Sequence, residues 1–158
     1  MKRALLLLVL VLLVAGCSKD EPKHDDGAIR EAALRKEDRA RLERIVALDV
    51  TASQALRAAD DAAMKGDAGA AVDQVHARAL PALDEALREA EGPPMKTAWG
   101  TQRKDALLGV LKDRKAEMPR YEEAVKSSDP EKMLTAVQAQ AAIERRALGA
   151  VAAVQDER

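Results

Sequence analysis

The sequence predicts an all-α fold, an antiparallel up-down four-helix bundle made of two helical hairpins. Three observations predict it. Ala, Leu, Glu, Lys and Arg dominate the 158 residues, alanine alone supplies about a fifth of them, and there is one Trp, one Tyr and no Phe. That is the composition of long helices, and strand formers and aromatics are too scarce for a β-sandwich, a barrel or an OB-type module. Second, apolar residues recur at spacings of three and four over four stretches. Third, the punctuation between those stretches is short, which makes consecutive helices run in opposite directions.

The chain opens with Met1-Lys2-Arg3, an unbroken apolar run from Ala4 to Ala15, and Gly16-Cys17-Ser18. Two cations hold the start on the cytoplasmic side, and the apolar run falls well short of the roughly twenty residues of a stable span. The segment Leu13-Val14-Ala15-Gly16-Cys17 resembles the lipobox of bacterial lipoproteins. The resemblance implies cleavage between Gly16 and Cys17 and a diacylglyceryl group on the Cys17 sulfur. It also implies an acyl chain, such as palmitate, on the new amino end. Several chains on one cysteine hold a protein stably, where one holds it marginally. Ser18 stands where the family's inner-membrane retention signal usually carries Asp, which implies the periplasmic face of the outer membrane. Cys17 is the single cysteine, so lipidation leaves no thiol for disulfides, nucleophilic catalysis or metal ligation.

The expected organisation is a signal peptide at 1–16, a lipidated cysteine and flexible tether at 17–26, and a helical domain at 27–158. The tether SKDEPKHDD is polar, contains Pro22, and reaches at most about 30 Å. The first helix spans about Gly27 to Met64, with Asp26 as N-cap, and carries Ile45, Leu48, Ala52, Ala55, Leu56, Ala59 and Ala63 on one face. Lys65-Gly66-Asp67 ends it and caps a second helix with Val72, Val75, Ala79, Leu80, Leu83, Leu87 and Ala90. Gly92-Pro93-Pro94 stops that helix. A third begins near Met95 and carries Trp99, Leu107, Val110, Leu111, Met118, Tyr121 and Val125, and Asp129-Pro130 starts the fourth. The fourth has two apolar faces: Leu134, Val137, Ala141, Leu148 and Val151, and Ala136, Ala139, Ile143, Ala147 and Val154. Pro81 and Pro119 fall inside helical patterns and are expected to kink or split them. Arg30 to Arg44, nearly all charged, reads as a solvated face or as a projecting stalk for self-association.

Removing Lys2 and Arg3 leaves 24 basic against 27 acidic side chains, a balance of −3, with no electrostatic footprint for nucleic acid. His24 lies among acids in the tether. Asp73-Gln74-Val75-His76 supplies half of a carboxylate-bridged di-iron pattern without the second pair such a site needs. There is no Cys-x-x-Cys-His for haem attachment, no nucleophile elbow and no phosphate loop. The expectation is therefore no enzyme, no metal and no cofactor. One cluster stands out: Lys96, Trp99, Arg103 and Lys104 lie at the end of the bundle nearest the tether. Residues 94–120 there carry seven basic against three acidic side chains. Trp and cations suit a lipid headgroup layer, so this is the candidate membrane-facing patch. The expected function is a lipid-anchored envelope protein, held to the membrane through Cys17, whose helical domain binds or scaffolds an envelope protein. The alternative is a carrier of haem, metal or an apolar molecule between the helices.

Overall fold

A computed structural model describes residues 26–156, and every regular element among them is helical. Gly16, Cys17, His24 and the tether up to Asp25 lie outside the described residues. Four helical runs follow one another. Helix α1, Asp26–Met64, is 39 residues long, about 58 Å. Asp26 is already helical rather than the N-cap the sequence suggested. The run ends where Gly66 takes φ 79°, a left-handed conformation that costs glycine nothing. The Asp67 side chain accepts from the Ala70 amide at 2.9 Å and so caps α2, Ala68–Gln74.

The second run does not break at Pro81. It passes from α2 through a π turn, Val75–Ala79, into α3, Leu80–Glu91, and the Leu80 amide donates to the carbonyl of Val75 five residues back. Proline lacks an N–H and its ring crowds the carbonyl four residues earlier, and the wider π turn gives that ring room. Helix α4, Ala98–Ser127, runs unbroken through Pro119. It starts later than the apolar pattern implied, because Thr97 is its cap, its Oγ1 accepting from the Gly100 amide at 3.0 Å. Asp129 caps α5, Pro130–Gln155, by accepting from Glu131 and Lys132.

Leu42, Ile45, Val75, Leu83, Leu107, Leu111, Met118 and Tyr121 fill the core, interleaved with alanines of α1 to α3. Two sequence expectations are corrected here. On α5 the buried face is Ala136, Ile143, Ala147, Ala150 and Val154, while Leu134 and Leu148 are 59% and 64% exposed. Both faces have helical periodicity, and packing against α4 selects one of them. The charged stretch of α1 is also not uniformly solvated: Asp38 and Leu42 within it are buried. Arg41 donates to the carbonyls of Glu89 and Pro93, so α1 is docked on the end of α3 at Arg41 and on the loop before α4 at Asp38.

Cross-links between helices are regular. Arg103 in the first turns of α4 donates to the Ala153 carbonyl near the end of α5 at 2.7 Å, and Lys132 at the start of α5 reaches Glu123 near the end of α4 at 2.7 Å. Lys112 pairs with Glu91 of α3 at 3.1 Å. Asp38, Asp49 and Asp60 of α1 meet, in turn, Thr97 at the cap of α4 and Arg114 and Tyr121 within it.

Candidate functional site

The end of the domain where α1 begins is built around Asp38. Its Oδ1 accepts from the Lys96 amide at 2.9 Å, and its Oδ2 accepts from the Thr97 amide at 2.9 Å and from Thr97 Oγ1 at 2.7 Å. A buried carboxylate is tolerated because these three donors replace its water. Gly100 permits the approach: a Cβ there would lie 2.7 Å from the Asp38 Cγ. The loop before α4 is thereby fixed to α1, and Trp99 is set against α1.

Trp99 is only 9% exposed. Two guanidinium groups lie over its ring, Arg103 at 4.4 Å and Arg39 at 5.5 Å from the ring centroid, both within cation–π range. Of the four patch residues, the structure brings Trp99 and Arg103 into direct contact. Lys96 turns to Glu37, Lys104 lies 3.5 Å from Asp105, and Arg103 also binds the Ala153 carbonyl. Sequence reasoning missed the contribution of α1. Ala32, Arg35, Lys36 and Arg39 line a cleft of about 340 Å³ with Trp99. Their spacing of three, four and seven places them on one helix face, which was the available signal.

A second polar cluster lies in the interior. Arg114 of α4, 2% exposed, sits between two carboxylates. Its Nε is 3.0 Å from Asp49 Oδ1, close but without hydrogen-bond alignment, and its Nη2 donates to Glu144 Oε2 at 3.1 Å. Glu144 also accepts from Ser53 and Arg57, each at 3.2 Å. Burial pushes the Asp49 carboxyl above the ordinary carboxylate range, and the neighbouring Arg114 offsets only part of that. Burial pushes Glu144 the same way, but the hydrogen bond and charge of Arg114, with Ser53 and Arg57, outweigh it and hold Glu144 below its usual value. One α-helical rung further on, Tyr121 Oη donates to Asp60 Oδ1 at 2.7 Å. Burial raises both groups, and Asp60 raises Tyr121 further. Between α1 and α5, a cleft of about 200 Å³ is lined by Ser53, Arg57, Asp60, Gln140 and Glu144 among others. Both amide atoms of Gln140 are buried there without a partner among the described residues.

His76 lies 3.1 Å from Glu122 of α4, so its nearest carboxylate is on another helix than the Asp73 that suggested a metal pattern. Among the described residues, no three His, Cys, Asp or Glu side chains converge on a metal-sized site, and no helix is long and apolar enough to cross a membrane.

Comparison with known proteins identifies the amino-terminal segment. Residues 1–18 match the prokaryotic membrane lipoprotein lipid attachment site, so the lipobox reading of Gly16-Cys17 stands on a family match as well as on its residues. No curated protein and no solved structure matches the chain. The match makes this a lipid-anchored protein of the cell envelope and assigns the helical domain to no family.

Proposed function

We propose that this lipid-anchored chain carries a non-catalytic, up-down four-helix domain that binds an envelope protein from the periplasmic face of the outer membrane. The opposed ends joined by Arg103–Ala153 and Lys132–Glu123, and the parallel succession of Asp38–Thr97 and Asp60–Tyr121, support the up-down course. The observation that carries protein binding is the apolar stripe of α5. Leu134 and Leu148 are exposed on a helix side that the core leaves uncovered, with Val137 half-exposed at its margin beside the α1 cleft. Ser18 after Cys17 favours the outer membrane through the lipoprotein resemblance. With the tether at the amino end of α1, Trp99 and its cations face the bilayer, and the turns at Gly66 and Ser128 face away from it.

Fractionation of cells tests the anchor: Cys17→Ala is expected to move the protein from the outer-membrane to the soluble fraction. Cross-linking in intact cells tests the binding. Leu134→Glu and Leu148→Glu are expected to remove the partner adduct while leaving the free energy of urea unfolding within about 0.5 kcal/mol of the parent, as for other surface changes. A band at twice the chain mass identifies the partner as a second copy. An adduct pattern untouched by both substitutions, or no adduct at all, overturns the binding role. The unpartnered Gln140 amide favours a second reading, a small polar ligand held between α1 and α5. An absorption spectrum and metal analysis of the purified protein test the haem and metal forms of a carrier.

A further inference from the structure

We infer that the cleft between α1 and Trp99 is a binding site for a phosphate-ester anion, the group presented by anionic lipid headgroups. The inference rests on the lipid-anchored reading and names a ligand for the end of the domain nearest the anchor. Arg35, Lys36 and Arg39 line the cleft with Ala32 and Trp99, and no carboxylate is among its lining residues. Arg35 also pairs with Glu31 at 3.2 Å, and Lys36 has no ion-pair partner among the described residues. Two guanidinium groups and an ammonium suit a phosphate, which guanidinium binds with paired donors and ammonium as a point charge. The indole wall suits the carbon skeleton next to the phosphate, since Trp sits well where an apolar body meets a charged layer. Its volume of about 340 Å³ is at the small end for ligand sites.

Position supports the same ligand. Arg39 lies thirteen residues into α1, about 20 Å along its axis. The tether ahead of Asp26 spans up to about 30 Å, so the cleft is within reach of the headgroup layer for a domain tilted on its anchor. The cations that the sequence placed against the membrane are engaged within the chain: Lys96 with Glu37, Lys104 with Asp105 and Arg103 with Ala153. Lys36 therefore leads the recognition, with the remaining donors of Arg35 and Arg39 on the same cleft wall.

Trp99 is the only tryptophan, so its emission reads the site directly. The full lipidated chain is reconstituted into phosphatidylcholine vesicles, into the same vesicles containing phosphatidylglycerol, and into phosphatidylcholine vesicles with added inorganic phosphate at matched ionic strength. The expected result is a blue shift and protection from acrylamide with phosphatidylglycerol. Apparent affinity falls about fivefold for each cation removed in Lys36→Gln and in the triple Arg35→Gln/Lys36→Gln/Arg39→Gln chain. A response to inorganic phosphate with the same dependence on Lys36 supports the site and makes free phosphate its source. Lys36→Gln leaves the Arg39 and Arg103 contacts with Trp99 in place, so its effect is not one of unfolding. No response in either arm overturns the inference, as does a response abolished by Lys96→Gln/Lys104→Gln and untouched by Lys36→Gln. Flotation with the vesicles is scored separately: a chain that does not float fails as an anchored protein, whereas one that floats without responding fails only here.

Discussion

Replacing Arg114 with methionine is expected to destabilise the domain by about 3 kcal/mol at neutral pH, and the loss should depend on pH in a defined way. Methionine keeps the length and most of the volume of the buried arm, so little of the effect comes from packing. What is removed is the cation between Asp49 and Glu144. Removing one member of a buried pair typically costs about 3–5 kcal/mol because the other charge stays uncompensated. The lower end applies here, since Glu144 is about one-third exposed and keeps Ser53 and Arg57. Nearly all of the loss therefore sits on Asp49.

Asp49 is already raised by burial, and Arg114 is the chief influence opposing that rise. Without it the carboxyl rises further. A carboxyl raised in the folded state holds its proton there more tightly than in the unfolded chain. It contributes stability in acid that is lost as pH climbs through its folded value, by up to about 1.4 kcal/mol per pH unit. The deficit of Arg114→Met relative to the parent should thus be smaller at pH ~5 than at pH ~7, by at least about 1 kcal/mol. Adding Asp49→Asn should remove most of that dependence and recover stability at neutral pH. Urea unfolding followed by helix circular dichroism at several pH values measures both. A loss below about 1 kcal/mol with no pH dependence, or a dependence that survives Asp49→Asn, refutes the assignment of the cost to an uncompensated Asp49.

Two further outcomes follow from local geometry. Tyr121 is the sole tyrosine, and burial with the Asp60 hydrogen bond holds its hydroxyl well above the ordinary value near 10. Its stabilising contribution is complete below pH ~10 and declines above it, so the phenolate absorbance at 295 nm should rise only with loss of helix; a simple titration centred at 10 with helix intact would contradict this. Gly100→Ala should cost about 2 kcal/mol by driving Asp38 off the Thr97 and Lys96 amides. Gly109→Ala, in open space in the same helix, should stabilise by about 0.5–1 kcal/mol, and equal effects at the two glycines would refute the close-approach account.

The parts of the fold that the sequence displays are those decided locally. Gly66-Asp67, Gly92-Pro93-Pro94 and Asp129-Pro130 mark the helix boundaries because left-handed backbone, missing N–H groups and side-chain caps act within a few residues. Choices that depend on a distant partner are not displayed. Two faces of α5 have the same period, and the sequence does not record that α4 covers Ile143 and leaves Leu148 exposed. Asp38 and Asp49 lie among charged or alanine-rich neighbours and look solvated, yet their partners stand about sixty residues away at Thr97 and Arg114. The candidate site was half legible for the same reason. Trp99 and Arg103 share one stretch, whereas Arg35, Lys36 and Arg39 are brought to them by the packing of α1 against α4.

The three aspartates also explain how so alanine-rich an interior specifies one register. Alanine faces are small and nearly uniform, so sliding α1 along its neighbours changes buried area little. Asp38, Asp49 and Asp60 recur every eleven residues, three helical turns, and so fall on one side of α1. Each meets a different partner along α4 and its cap: the Thr97 hydroxyl with the Lys96 and Thr97 amides, a guanidinium, and a phenol. A shift by one turn would leave buried carboxylates facing alkyl groups, and the cost per carboxylate exceeds what repacking one alanine against another returns. The rungs are unlike one another, so no shifted register satisfies two of them at once. Polar groups that add little net stability thus select the alignment that keeps the cation-lined cleft beside Trp99.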